Sequence, residues 1–319
     1  MRIVRGHNSI PAMAQGSVLA LGNFDAVHRG HQAVIHTAHA KAATLGAPAA
    51  VMTFEPHPRY FFSSSKQPIR LVPFHHKARL LQAHGVDVLF VMGFNEAFSQ
   101  ISAEAFIQDI LVKQLQVRHV VTGEDFIFGH KRGGNADMLE AYANETEAFG
   151  FSRVVPVGGR EHIFSSSLVR SFVQAGQMRK AADILGRPYE MIGRVQHGDK
   201  RGRTIGFPTA NIIPPAITLP AKGVYAVRVA IYDEMDIQAE PHWYDGVANF
   251  GQRPTFAGTR MQLEAHLFDV EKDLYDKRLR VQFVRHVRDE KPFDGVDALK
   301  AQIARDCETA RAYLAMENR

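Results

Sequence analysis

Two histidines three residues apart, His28 and His31, combine a residue type and a spacing that suit phosphate chemistry. They follow the apolar run 17–21 and open an amphipathic stretch, with Gly30 between them. A helix start offers unpaired N–H groups and a positive dipole end, and two imidazoles there could stabilise a phosphate under attack. Two histidines at a helix start are more often simple caps or surface residues, but His-x-Gly-His directly after a strand that ends in Gly-Asn-Phe-Asp argues strongly against that interpretation here. A metal site is less favoured, because no third ligand stands nearby in sequence.

Two other segments could also meet phosphate. Residues 129–134 form a basic, glycine-rich loop, and residues 165–170 place Ser165 and Ser166 at a helix start with Arg170 one turn further on. Glycine-rich loops supply N–H groups, and arginine supplies charge-assisted hydrogen bonds to phosphate oxygens. Taken singly, the first segment is better explained as a surface hairpin, and the second fits an ordinary serine N-cap. Only the occurrence of these two segments together with the histidine segment outweighs those interpretations.

A third glycine-rich, basic segment runs from residue 193 to residue 211 and lacks the Walker A pattern. Near its end, Thr209 and Asn211 alternate along a predicted strand, so both side chains should face the same way. Two neutral oxygens on one face could help hold Mg²⁺ that phosphates also ligate. A basic surface turn is the alternative for this segment.

The elements that position these residues differ between the two halves of the chain. In residues 1–186 apolar runs alternate with amphipathic stretches, which predicts a doubly wound parallel sheet with helices on both faces. Ligands of such sheets bind at the carboxyl ends of the strands. The predicted strands are 17–21, 49–54, 86–92, 119–122 and 153–157, and the predicted helices are 31–45, 74–84, 103–113 and 136–148.

Two short helices, 167–175 and 178–185, lead to a predicted linker at 186–188. Short β-rich runs follow without intervening helices, which predicts a small antiparallel β-barrel. Its strands are 189–195, 224–232, 243–250, 261–268 and 280–288. A closing helix, 296–316, should pack on this barrel through a face that includes Cys307, so this cysteine is interpreted as a core residue.

Composition limits the class of protein. The 319 residues predict two domains, and 45% hydrophobic residues suffice for their cores. One cysteine excludes a disulfide framework, and no apolar segment is long enough for a transmembrane helix or a signal peptide. A cytoplasmic protein is therefore expected. The net charge of +5 lies along the chain without a basic stripe, which disfavours nucleic acid as a partner.

The histidine segment also resembles a family. His-x-Gly-His after Gly-x-Phe-Asp is similar to the signature of nucleotidyltransferases, and residues 22–31 resemble the N-terminal module of bacterial bifunctional riboflavin kinase/FAD synthetases. Residues 54–58, 121–134 and 165–170 match the same module. Ala26 stands where the family usually has glycine, and Ser167 where it has threonine. If position 26 needs a positive φ, alanine should cost roughly 1 kcal/mol or more.

The second half is similar to the riboflavin kinase signature over residues 193–211, and residues 223–227, 246–255 and 263–267 continue the match in order. The resemblance implies that Glu264 is the general base for the riboflavin hydroxyl, although a lone glutamate on an alternating strand could equally face solvent. It also implies catalytic roles for His28, His31 and Arg170. The substrate-binding residues it implies are Gly22, Asn23, Phe24, Asp25, Gly30, Pro56, Pro58, Asp125, Ser165, Ser166, Gly193, Lys200, Gly206, Pro208 and Arg253.

The resemblance covers nearly the whole chain and implies two activities. An FMN adenylyltransferase domain (1–186) and a riboflavin kinase domain (187–319) would convert riboflavin and ATP to FMN and ADP, then FMN and ATP to FAD and pyrophosphate. Mg²⁺ would accompany ATP, flavin would be substrate rather than prosthetic group, and neither nucleic acid nor membrane would be a partner. The alternatives are a kinase with an impaired adenylyltransferase domain, a different nucleotidyltransferase, or a non-enzymatic flavin- or nucleic-acid-binding protein.

Overall fold

A computed structural model describes residues 1–7, 10–65, 68–159, 162–197, 205–232, 241–255, 258–270 and 272–317. The chain forms two compact units, residues 1–166 and 167–319. This division falls about twenty residues before the expected boundary near Gly186. The helices after residue 166 join the second unit, because the Ala221 N–H bonds the Val173 carbonyl at 3.3 Å and Tyr225 lies against Gly176.

The first unit contains a six-stranded, entirely parallel sheet in the order β1-β4-β3-β2-β5-β8, as the alternating pattern predicts. A separate two-stranded ribbon pairs β6 with β7. The strands are β1 (Arg2–Arg5), β2 (Val18–Leu21), β3 (Ala49–Glu55), β4 (Val88–Gly93), β5 (His119–Gly123), β6 (Ile127–Phe128), β7 (Gly134–Asn135) and β8 (Gly150–Val154).

Helices cover both faces of this sheet, because successive residues of each buried strand point to opposite sides. Leu19 and Met52 contribute to the core on one face, whereas Val18 and Val51 contribute to the core on the other. The helices are α1 (Arg29–Leu45), α2 (Pro58–Phe62), α3 (Phe74–Ala83), α4 (Glu96–Ser99), α5 (Ala103–Ala105, continuing as a π-helix over Phe106–Gln114) and α6 (Ala136–Thr146).

The second unit begins with α7 (Ser166–Gln174), whose first residue still belongs to the first unit, and α8 (Met178–Leu185). A closed, antiparallel barrel follows in the order β10-β13-β12-β11-β14-β9 and confirms the predicted β architecture. Its strands are β9 (Tyr189–Gln196), β10 (Ala210–Ile212), β11 (Gly223–Ile231), β12 (Tyr244–Thr255), β13 (Gly258–Leu267) and β14 (Arg278–Arg288).

Helix α9 (Val296–Met316) has the predicted bounds and packs on the barrel through Ala310 and Leu314. Cys307 is half-buried beside this core, and burial raises the pKa of its thiol to about 11. The helix also buries Asp306, whose carboxylate accepts hydrogen bonds from the Arg288 guanidinium at 2.7–3.1 Å. Apolar periodicity alone does not reveal this ionic contact.

Several sequence predictions differ from the fold, including the end of β12, which lies at Thr255 rather than at residue 250. Strand β1 was missed because only four residues form it, and charged arginines stand at both ends. The fifth predicted strand, 153–157, lies at 150–154, since Val155 beyond it is exposed. The strand predicted to carry Thr209 begins one residue later, at Ala210.

Candidate functional site

The two histidines lie at the start of α1, immediately beyond the carboxyl end of β2. His28 is the N-cap, and its Nδ1 accepts a hydrogen bond from the His31 N–H at 3.3 Å. Because Nδ1 accepts, Nε2 carries the hydrogen of the neutral His28 ring and can donate to a phosphate oxygen. The two rings are stacked, with centroids 3.6 Å apart. A Cβ on Gly30 would lie 3.0 Å from the His28 ring, so glycine at this position permits the stack.

His31 is held in its neutral form. Burial lowers the pKa of its imidazole well below the usual value, and electrostatic interactions with His28 and Lys77 lower it further. Its Nδ1 is buried without a hydrogen-bond partner among the described residues, and the same holds for Oδ1 of Asn23. Buried polar atoms normally have partners, so these two atoms are suited to meet groups of a ligand.

The loop between β2 and α1 is a tight turn with unusual backbone angles. Phe24, Ala26 and Val27 have φ values of 49°, 66° and 47°, and all three side chains are buried. Position 26 therefore has the positive φ at which glycine is usual and alanine is strained by roughly 1 kcal/mol. The turn brings its backbone to the end of β2, where the Gly22 N–H bonds the Met52 carbonyl at 3.4 Å.

Two further contacts hold this loop. The buried Asp25 carboxylate accepts the Leu71 N–H at 3.0 and 3.1 Å, so Asp25 orients backbone. The Ser166 hydroxyl donates to the Asp25 carbonyl at 3.1 Å, which brings this predicted phosphate-binding serine to the histidine loop. The structure thus brings together His28, His31, Asp25 and Ser166.

Lys77 of α3 is a site residue that the sequence reasoning missed. Its side chain is 6% exposed, and its Nζ donates to the Thr53 hydroxyl at 2.9 Å and to the Asn23 carbonyl at 3.3 Å. The same ammonium forms an ion pair with Glu55 at 3.1 Å, and Arg70 also pairs with Glu55. Burial lowers the Lys77 pKa, an effect that Glu55 opposes. Its position in an amphipathic helix gave no signal that it would be buried.

The remaining predicted residues of this half are spread over several loops. Pro56 is exposed after β3, Pro58 is the first residue of α2, and Asp125 is exposed in the turn after β5. Ser165 is half-buried beside Ser166. Arg170 lies on α7 in the second unit, so its role toward the histidines stays a prediction.

On the barrel, three adjacent strands place Asn211, Glu264 and Asn249 at one level. Asn211 of β10 and Asn249 of β12 both stand opposite Glu264 of β13 in the register. Residues directly opposite on neighbouring strands share a face of the sheet. Their chain neighbours Phe250 and Leu263 are buried in the barrel. The polar residues therefore form a strip on the outer face, defined as Asn211, Glu264, Gln262, Arg260, Asn249, Gly251 and Arg253.

Within this strip the Glu264 carboxylate is already engaged. The Arg253 guanidinium donates from Nε to Oε1 of Glu264 at 2.9 Å and from its second nitrogen to Oε2. Asn211 accepts from the Gln262 amide at 2.8 Å through its Oδ1. The predicted base and the predicted metal-binding asparagine are thus neighbours, and Arg253 contacts the base directly.

The segment before β10 is described in part. Lys200 lies in 198–204, outside the described residues. The Pro208 carbonyl accepts from His266 at 2.8 Å, and Gly206 has a φ of 89°. A Cβ on Gly193 would lie 2.4 Å from the Ile212 side chain, so close packing of β9 against β10 requires glycine there.

The oxygen donors of the strip suit a hard cation. Mg²⁺ takes few protein ligands and keeps water and phosphate oxygens, so an asparagine beside a carboxylate is chemically compatible with it. Within the described ranges, no three His, Cys, Asp or Glu side chains gather as they would around a metal ion.

None of the helices in the same ranges has both the length and the apolar character needed to cross a bilayer.

Two family models match the two halves of the chain. The FAD synthetase model matches residues 10–168, and the riboflavin kinase model matches residues 185–314. The fold and the matches together define a two-domain transferase with a nucleotidyltransferase domain and a kinase domain.

Relatives of known name match along the whole chain. The bifunctional riboflavin kinase/FMN adenylyltransferase of Escherichia coli K12 is 41% identical, with 99% of each chain covered. The protein of the same name from Bacillus subtilis is 36% identical, covering 98% of this chain and 97% of the relative. A crystal structure described as a macrolide-efflux protein from Streptococcus pneumoniae is 30% identical with a TM-score of 0.84, covering 98% of this chain and 99% of that chain. The chain belongs to the family of bifunctional riboflavin kinase/FMN adenylyltransferases.

Proposed function

We propose that the barrel domain phosphorylates riboflavin with ATP, and that the parallel-sheet domain adenylylates the resulting FMN with a second ATP. The products are FMN and ADP from the first reaction and FAD and pyrophosphate from the second. Each reaction transfers a phosphorus centre between oxygen atoms, so positioning and electrostatic stabilisation supply most of the catalysis.

In the kinase reaction Glu264 accepts the proton of the riboflavin 5′-hydroxyl. The hydroxyl oxygen forms a bond to the γ-phosphorus, and the bond to the β–γ bridging oxygen breaks with its electron pair leaving on ADP. A hydroxyl nucleophile needs such a proton acceptor within hydrogen-bond reach. The strip supports this role, because it places the Glu264 carboxylate beside Asn211 and Asn249.

Thr209 and Asn211 are proposed to hold Mg²⁺ together with the nucleotide phosphates. The cation, when bound, neutralises charge that develops on the transferred phosphoryl group. The position of Asn211 directly opposite Glu264 supports this proposal. Thr209 immediately precedes β10, the strand that carries Asn211.

In the adenylyltransferase reaction the FMN phosphate is already anionic and needs no protein base. One of its oxygens bonds to the α-phosphorus of ATP, and pyrophosphate leaves with the electron pair of the broken bond. His28 at the helix start can donate a hydrogen bond to a phosphate oxygen, and neutral His31 stacks against it. Lys77 donates a hydrogen bond to the Asn23 carbonyl, and the Ser166 hydroxyl donates to the Asp25 carbonyl of the same loop.

The observation that carries this proposal is the stacked histidine pair at the start of α1, at the carboxyl edge of a parallel sheet where such folds bind ligands. The test incubates the full chain with riboflavin, ATP and Mg²⁺ and separates the flavins by chromatography over time. FMN followed by FAD is the expected result. The absence of both products would contradict the proposal.

A second candidate function is a kinase with an impaired adenylyltransferase domain. The positive φ of Ala26 favours it, because this alanine strains the loop that precedes His28. In the same incubation this candidate gives FMN without FAD. Added FMN and ATP would then also give no FAD.

A further inference from the structure

We propose that Arg253 is a nucleotide-responsive positioning residue. It holds the Glu264 carboxylate in this structure, and it turns to the terminal phosphate of a nucleoside triphosphate when one binds. The carboxylate then becomes available to the substrate hydroxyl. This inference rests on the proposed kinase function and adds an order of events to it. The nucleotide binds first, and its binding releases the Glu264 carboxylate for the substrate hydroxyl.

The contact between the two residues is the first support. The guanidinium contacts both carboxylate oxygens of Glu264, one of them at 2.9 Å. A forked, two-bond contact between arginine and a carboxylate is strongly directional, and it competes with any hydroxyl that needs the same oxygens. A proton acceptor held this way is poorly placed for its own reaction until the arginine moves.

The second support is a pair of like charges beside this contact. Arg253 stands directly opposite Arg260 in the β12–β13 register, and both side chains are exposed. Like charges directly opposite on neighbouring strands destabilise a sheet. Glu264 and Glu290 supply negative charge on this face, and a terminal phosphate could contact both arginines at once.

The third support is the short distance between Asn211 and Glu264 on neighbouring strands. Glu264 faces Asn211, the proposed partner of Mg²⁺ and phosphate, one strand away. Neighbouring strands lie about 4.8 Å apart. A phosphate held near Asn211 is therefore within reach of an arginine that already contacts Glu264. The Arg253 side chain is 49% exposed.

The test compares nucleotide affinity in four full-length proteins: the unaltered chain, Glu264→Gln, Arg253→Met and the double variant. Each is titrated by calorimetry with AMP-PNP and Mg²⁺ in the absence of riboflavin. All four share an unchanged parallel-sheet domain, so differences between them arise in the barrel. We expect Glu264→Gln to tighten binding about two- to fivefold, because it releases Arg253 from an exposed ion pair of about 0.4–1 kcal/mol.

The Arg253→Met background separates this explanation from simple repulsion. Removing a negative charge could by itself favour an anionic ligand. Under the proposal Glu264→Gln gives no tightening once Arg253 is absent. Tightening of equal size in both backgrounds, or no tightening in either, would overturn it. Arg253→Gln is measured beside Arg253→Met, so a folding defect in one variant does not decide the result.

Glu290→Gln is the matched control. Its carboxylate lies near the Asn249 amide at 3.4 Å and against Gly251. Removing this charge should not produce a gain in affinity that depends on Arg253, and such a gain would overturn the specific pairing. Phosphorylation of riboflavin by the unaltered chain is measured separately. If phosphorylation occurs without any Arg253-dependent gain, this inference fails while the proposed function stands.

Discussion

At the scale of single residues, the histidine site contains residues that the sequence predicted and one that it did not. His28 and His31 lie where the sequence predicts them, whereas Lys77 reaches the site only through folding. His28 and His31 are three apart in sequence, so the helix start alone sets their contact. Lys77 is 46 residues beyond His31 in the chain, yet its charge adds to the larger effect of burial in lowering the His31 pKa. His31 and Lys77 each lead to a testable prediction about the first unit.

The first residue-scale prediction concerns pH. Because the pKa of His31 is lowered well below 6.5, the unfolded chain takes up a proton near pH 6.5 while folded His31 stays neutral. Stability should be complete above about pH 7 and should fall as pH decreases through 6.5. Thermal unfolding between pH 8 and pH 5 measures this slope, which His31→Gln should flatten.

Burial also lowers the pKa of His119, so this residue should leave part of the slope in place. The exposed His242 is the matched control, and His242→Gln should leave the slope unchanged. An identical slope in His31→Gln and the unaltered chain would contradict the prediction.

The second residue-scale prediction concerns Lys77. Lys77→Met removes donors to Asn23, Thr53 and Glu55, so the loop before His28 should shift. FAD formation from added FMN should fall about 10- to 100-fold, the penalty of misplacing reacting groups by about 1 Å. FMN formation from riboflavin should stay unchanged, and chromatography of the flavins measures both.

The control for Lys77 is Lys113, an exposed lysine paired with Asp109 on the helix surface. Lys113→Met should alter neither reaction. An equal loss of FMN formation and FAD formation in Lys77→Met would show general unfolding rather than a positioning role.

At the scale of elements, α9 illustrates what periodicity predicts and what it misses. The 21-residue helix has the bounds that its apolar spacing predicts. Its attachment also depends on Asp306, which apolar spacing gives no reason to bury. Asp306 meets Arg288 of β14, a contact that exists only because the barrel closes.

Asp306→Asn should therefore loosen the helix. It leaves the largely buried Arg288 guanidinium without its charge partner, at a cost of about 3 kcal/mol. Chemical denaturation should show a lower midpoint for the barrel domain. Glu308→Gln, at an exposed position on the same helix, is the control and should leave the midpoint unchanged. Equal midpoints for the Asp306 variant and the unaltered chain would contradict this assignment.

At the scale of the whole molecule, each of the two compact units carries one candidate site. Glu264 lies in the second unit, whereas His28 and His31 lie in the first. The two activities should therefore be separable by substitution without dividing the chain.

Glu264→Ala should stop FMN formation and spare FAD formation from added FMN. The combined change His28→Ala and His31→Ala should stop FAD formation and spare FMN formation. Both variants are assayed with each flavin substrate, and circular dichroism confirms folding. Loss of both reactions in either folded variant would contradict the assignment of one site to each domain.

The amino-acid sequence by itself determined the features that depend on local order. Periodicity predicted the parallel sheet, the barrel and α9, and the three-residue spacing predicted a histidine pair at a helix start. The tertiary structure alone decided the contacts between distant segments: the burial of Lys77 and Asp306, the register that sets Asn211 beside Glu264, and the hold of Arg253 on that carboxylate. These depend on which strands become neighbours and in which register. Spacing within one segment cannot specify that, because the chain between the partners can close in many ways.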